Sequence, residues 1–187
     1  MTNGILPPNE VWGIFAGGID QQTVQRMANA VTVASNNGVG RVHLAFQTAG
    51  GLIGDGVCLY NLFKALPLEL VVYNIGSIQS VGVMAFLGAK HRKASPRATF
   101  MIHRSYASPL AATSDRLQAM AQGLILDDER CERILRDHVN LDDDQWAMHR
   151  VADVWLSAEE AKKVGLVTEI GDFAPPKGTQ LLYVGPN

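Results

Sequence analysis

Short apolar runs alternate along the chain with stretches whose apolar residues recur every three or four positions, the periods of strand and helix. Val11 to Phe15 reads as a strand. Asp20 then reads as an N-cap, followed by Val24, Met27, Ala28 and Val31 at helical spacing and a stop near Asn36-Asn37-Gly38. Arg41 to Phe46 is the next strand. Thr48-Ala49-Gly50-Gly51 leads into a helix carrying Val57, Tyr60, Leu62, Phe63 and Leu66, which Pro67 ends. Glu69 to Ile75 is a continuous apolar strand, Gly76-Ser77 a turn, Ser80 to Ala89 an apolar helix, and Ala98 to Ile102 a further strand. Strand-then-helix units repeated at this spacing predict an α/β fold with a mostly parallel sheet.

The pattern changes after Thr113. Leu117, Met120, Leu124, Cys131, Leu135 and His138 form one stripe, and charges such as Asp127, Glu129, Arg133 and Arg136 fill the other faces. This predicts one long amphipathic helix, Thr113 to Val139, which cannot be buried on all sides. Asp142-Asp143-Asp144 reads as a helix start, because acidic residues favour that end and adjacent carboxylates on a helix diverge, which disfavours a metal site. Ser157-Ala158-Glu159-Glu160 fits a capping box, and Gly165 to Ile170 reads as a last core strand. The tail from Asp172, with Pro175-Pro176, reads as surface.

Composition narrows the function classes. The chain has 187 residues, 16 Lys+Arg against 18 Asp+Glu and a formal charge of −2, so nothing draws it to nucleic acid or an anionic membrane. With 47% hydrophobic and 18% charged residues it is slightly apolar for its size, which suggests surface covered by other subunits. No run is long enough to span a membrane, no signal peptide is visible, and the protein is expected to be cytoplasmic. Cys58 and Cys131 make no metal motif and read as two buried thiols. No metal or cofactor is expected.

Four local signals carry candidate chemistry, none decisive alone. Ser80 opens an apolar helix after a strand, where its hydroxyl meets the positive helix end and the Val81 N–H is free to donate. Taken alone, an N-cap role for Ser80 outweighs a nucleophilic one. Gly50-Gly51 lets the backbone approach a ligand, or else forms an ordinary tight turn. His103 ends a strand and can leave the sheet for a cleft, although a lone strand-end His is more often structural. Asp153 sits among apolar neighbours, and a buried carboxylate there needs a partner such as an imidazole N–H.

In order and context these blocks resemble the proteolytic subunit of Clp protease (ClpP, peptidase family S14), in the ClpP/crotonase superfamily. The resemblance covers roughly Val11 to Ile170. Thr48-Ala49-Gly50-Gly51 matches the family's Ser-Pro-Gly-Gly loop, and Gly76-Ser77-Ile78-Gln79-Ser80-Val81 its Gly-x-Ala-Ala-Ser-Met block. Met101-Ile102-His103 matches Met-Ile-His intact. Asp153-Val-Trp-Leu-Ser-Ala-Glu-Glu-Ala161 with Gly165-Leu-Val167 matches the block that carries the acid.

The resemblance implies an α/β spiral of ββα repeats with a protruding long-helix handle, in one domain. The head would span about 10–104 and 151–171, the handle about 105–150 and the tail 172–187. It implies a serine endopeptidase acting on polypeptide, with Ser80 as nucleophile, His103 as general base and Asp153 orienting the imidazole. Gly51 and Val81 would form the oxyanion hole. It also implies a homo-oligomeric ring of the stacked-heptamer kind.

Departures from the pattern identify a divergent member. The chain begins almost at the first core strand, so the family's N-terminal axial loop and first helix are largely missing and docking of an AAA+ unfoldase stays open. Val151-Ala152 replaces the Asp-Arg pair that precedes the acid in many members. Arg104 to Pro109 replaces the Gly-rich segment after the base, and Ile78-Gln79 stands where small alanines are usual. Two other functions compete: a non-catalytic ring or scaffold subunit, and a crotonase-like enzyme acting on acyl-CoA.

Overall fold

The computed structural model describes residues 9–185. β1 (Glu10–Ala16), β2 (Arg41–Thr48) and β3 (Glu69–Gln79) are parallel neighbours at the heart of an eight-stranded sheet. The helices between them are α1 (Gln21–Asn36) and α2 (Ile53–Ala65). Asp20 caps α1 by accepting the Thr23 N–H at 2.8 Å, a bond that holds its carboxyl below the ordinary range. Thr23, Met27, Val31 and Ala34 turn inward from α1. Phe15 of β1 and Phe46 of β2 stack at 5.0 Å in the interior. Each such side chain contributes about 2–3 kcal/mol by leaving water.

β3 differs from expectation in a way that shapes the site. It runs on through Gly76-Ser77, where a turn is predicted. The fully buried Asn74 side chain accepts the Gly76 N–H at 3.0 Å and donates to the Thr99 carbonyl at 2.8 Å, so the strand's polar groups stay satisfied. β3 then serves two partners in succession. Val71 to Asn74 pairs with β4 (His91–Ala94), and Ser77 to Gln79 pairs with β5 (Thr99–Ile102). β4 was not anticipated; its HRKA sequence has no apolar alternation, and only Ala94 is buried.

Between these strands lies α3 (Val81–Leu87), in which every residue is buried. Beyond β5 the long helix α4 (Ser114–His138) matches its predicted span closely and packs on α3. Only Ile134 and Leu135 of α4 are buried, so its N-terminal half projects from the body. α5 (Asp143–His149) starts at an Asp142/Gln145 capping box, and α6 (Ala158–Lys163) at the Ser157/Glu160 box.

β6 (Val154–Ser157) pairs antiparallel with β5, the one antiparallel pairing among the described strands. The predicted last core strand shrinks to β7 (Glu169–Ile170) against β4. Leu166 and Val167 are still buried, but Gly165 takes φ 87 and starts a turn. The tail is more structured than a surface strip. Phe173 packs edge-on against Trp12 and Tyr73, and β8 (Leu181–Tyr183) adds to the edge of β1 in parallel. The sheet order is β6-β5-β3-β2-β1-β8, with β4 and β7 branching from β3.

The cysteines depart from the reading of two buried thiols. Cys58 is exposed on α2, and Cys131 on α4 is half-buried, with burial pushing its thiol up to about 11. The apolar neighbours that suggested burial did not place Cys58 on the inward face of α2.

Candidate functional site

The site forms where β3 gives way to α3. Ser80, between them, has φ 57 and ψ −134, the one non-glycine with positive φ among the described residues. Such a conformation costs about 1–3 kcal/mol and persists only where its surroundings enforce it. Here the Ser80 N–H donates to the Met101 carbonyl at 2.8 Å, and the Ser80 carbonyl accepts the Val83 N–H at 3.0 Å. The hydroxyl makes no cap bond to its helix, so the N-cap role is not what the side chain performs. It lies instead 2.8 Å from His103 Nε2.

His103 leaves β5 just after Ile102 and is half-buried. The Tyr106 ring stands 5.6 Å from it, tilted by 37°. Asp153 immediately precedes β6. Because Ile102 pairs with Val154 in the antiparallel register, one further step sets Asp153 beside His103. Asp153 is exposed, however, and no hydrogen bond among the described residues joins it to the imidazole. The expected burial of this carboxylate is therefore corrected. Trp155, next along β6, is itself 54% exposed, so the apolar neighbours in sequence do not enclose it.

The glycine loop closes the other side. Ile19 bridges to Gly51: the Ile19 N–H donates to the Gly50 carbonyl at 2.9 Å, and the Leu52 N–H to the Ile19 carbonyl at 2.8 Å. Among the described residues no hydrogen bond uses the Gly51 N–H. Val81 is the first residue of α3, so its N–H has no acceptor within the helix. Gly50, at φ 96, is required as glycine. A Cβ there would lie 2.7 Å from the Ser80 Cβ. Glycines 56 and 82 give similar clearance to Val81 and Thr48.

All five sequence-predicted residues, Gly51, Ser80, Val81, His103 and Asp153, border one cavity of about 660 Å3. Ile53, Met84, Cys131 and Leu135 make an apolar wall. Arg104, Asp128 and His149 add polar groups to the lining, and nothing in the sequence pattern pointed to Asp128 or His149. His149 is buried, and that burial lowers its pKa below the ordinary 6.5. Gln79 turns its amide onto Ser77 Oγ at 3.0 Å, and Ile78 is fully buried in the core.

The chemical capacity follows from these contacts. A hydroxyl 2.8 Å from an imidazole nitrogen can pass its proton to that ring, and Gly51 and Val81 line the same cavity.

Fold and site together define a mixed α/β protein with a serine at a strand-to-helix elbow facing a histidine. The chain belongs to the Clp protease family, whose model matches residues 13–173. It is 25% identical over 156 residues to the ATP-dependent Clp protease proteolytic subunit 3 of Rhizobium meliloti, covering 82% of this chain and 80% of that one. It is 19% identical over 156 residues to the proteolytic subunit 2 of Pseudomonas aeruginosa, with 82% and 77% covered. Among solved structures, a mutant ClpP1 from Listeria monocytogenes matches with a TM-score of 0.76 at 21% identity, covering 89% of this chain and 92% of that one. The resemblance drawn from the sequence motifs therefore holds for family and fold. No helix among the described residues is long and apolar enough to cross a membrane.

Proposed function

We propose that the protein is a serine endopeptidase of the Clp type, and the 2.8 Å contact between Ser80 Oγ and His103 Nε2 at a strained elbow carries that reading. Serine is a weak nucleophile until a base takes its proton. Ser80 Oγ attacks the scissile carbonyl as His103 Nε2 accepts the hydroxyl proton. The N–H groups of Gly51 and Val81 hold the oxyanion, each lowering the barrier by about 3 kcal/mol. His103 then returns the proton to the departing amine, leaving an acyl-Ser80 ester that water hydrolyses by the same steps in reverse.

Asp153 is the residue that orients the imidazole. The β5–β6 register sets it alongside, and its exposed side chain has to turn onto Nδ1 to do so. The apolar wall of Ile53, Met84 and Leu135 suits an apolar side chain next to the scissile bond. Polypeptide is the substrate class. The assembly is a homo-oligomeric ring whose stacking uses the projecting half of α4, in a cytoplasmic setting.

One observation supports a second reading, a non-catalytic ring subunit: Asp153 and His103 share no hydrogen bond. Fluorophosphonate labelling decides between them. A wild-type protein that labels, with loss of label in Ser80→Ala, establishes the peptidase. A folded oligomer that takes no label establishes the scaffold.

A further inference from the structure

We propose that Asp128, on the long helix α4, is a second positioning residue for His103, holding the backbone that follows the base while Asp153 orients the ring. The inference rests on the reading of Ser80 and His103 as the reacting pair, and adds what holds the base in place. His103 is the first residue of a stretch without regular structure, which runs to Thr113. A histidine at such a point is fixed on its N-terminal side by β5 and needs a second attachment on the other.

Asp128 supplies it. Its Oδ1 accepts the Ser105 N–H at 2.7 Å, and its Oδ2 accepts Arg104 Nε at 2.8 Å and pairs with Arg104 Nη2 at 2.7 Å. One carboxylate thus fastens both residues that follow the base, one through its backbone and one through its guanidinium. The Asp128 side chain is only 13% exposed, so the pair with the half-exposed Arg104 is partly shielded from water. The fastened backbone leads straight to Tyr106, whose ring lies beside the imidazole. Arg104, Ser105 and Asp128 border the same cavity as Ser80 and His103. Ser80 meets the imidazole at Nε2 and Asp153 has still to turn onto it, so among the described residues this clasp is the bonded attachment on the C-terminal side of the base.

The charges facing the clasp come from three elements. His149 of α5 lies near enough to feel the charges of Arg104, Glu132 and Asp128 and of His103 when protonated. Replacing Asp128 with Asn keeps an acceptor for the Ser105 N–H and removes the charge that holds Arg104. Replacing it with Ala removes both. Because a base displaced by about 1 Å costs up to 100-fold in rate, the two variants grade the effect.

The test measures fluorophosphonate labelling rates and turnover of a small ester by the wild type, Asp128→Asn and Asp128→Ala. Imidazole 15N shifts are recorded on the same samples. The expected result is labelling slowed about 10- to 100-fold in Asp128→Ala and less in Asp128→Asn, with kcat reduced and KM retained. Melting temperature and particle size stay at wild-type values in Asp128→Asn. The His103 shifts move toward those of a free ring in Asp128→Ala. Labelling and shifts equal to wild type in both variants overturn the inference. A wild type that takes no label overturns the reading of Ser80 instead. The imidazole shifts of Asp128→Asn and Asp128→Ala then still decide whether the clasp positions the ring.

Discussion

At Ser80 the backbone itself is part of the chemistry. Its φ of 57 points the hydroxyl away from the helix it would otherwise cap and toward His103. Gly50 makes that possible by offering no side chain where the Ser80 Cβ passes. Gly50→Ala therefore has two costs, a residue forced to φ 96 and a clash with Ser80, together about 1–3 kcal/mol or more. The expected outcome is labelling slowed at least tenfold and a lowered melting temperature, whereas alanine at Gly38, where a Cβ meets nothing, affects only the melting temperature. Labelling by Gly50→Ala at the wild-type rate would refute the close-approach argument.

The residues of this site were unequally legible in the sequence. Ser80, His103 and the glycine pair are named by short motifs whose order survives divergence. Ser80's place at the start of a helix was readable, but the strand's continuation to Gln79 was hidden because Gly76-Ser77 looks like a turn, and the buried Asn74 side chain shows why the strand runs through it. Asp128 was invisible for another reason. It is one acid in a charged helix, and its partners lie 23 and 24 residues away in the chain.

Among the elements, helices announced themselves better than strands. α4 was readable almost to the residue because its stripe, its Thr113 cap and its charged faces agree. β4, β6 and β8 have four residues or fewer, too short for an alternating pattern to rise above chance. They exist because a neighbouring strand edge accepts them. The projecting half of α4 leaves Leu117, Ile125 and Leu126 exposed at 46, 54 and 64%, an apolar set that a lone helix in water does not favour. If that half joins subunits, Ile125→Asp with Leu126→Asp gives a folded protein with an unchanged circular dichroism spectrum and a smaller particle by light scattering. An unchanged particle size would separate α4 from assembly.

The whole molecule carries a pH dependence that comes mostly from outside the proposed chemistry. His43, His138 and His149 all have pKa values lowered below 6.5, chiefly by burial. His43 lies flat against Trp12 at 3.9 Å and bonds through Nδ1 to the Tyr73 hydroxyl at 2.8 Å. Glu10, 3.5 Å from its other nitrogen, favours the charged ring, but the loss of hydration outweighs that attraction. Because the unfolded chain binds these protons more readily, stability is full above about pH 6.5 and falls as the pH drops through the lower folded values. Thermal melts between pH 8 and pH 5 are expected to show a falling midpoint, with the slope reduced in His43→Gln. A midpoint that rises on acidification would contradict the buried neutral state.

The pairing of β8 with β1 has a consequence for how the protein is made. The two strands stand at opposite ends of the described chain, so β1 is made well before β8 and waits for it before its outer edge is covered. During that interval β1 offers open hydrogen-bonding groups to any extended peptide nearby. Synthesis therefore exposes a vulnerable window that finished molecules no longer have, and a fusion that delays or hinders Leu181–Tyr183 prolongs it.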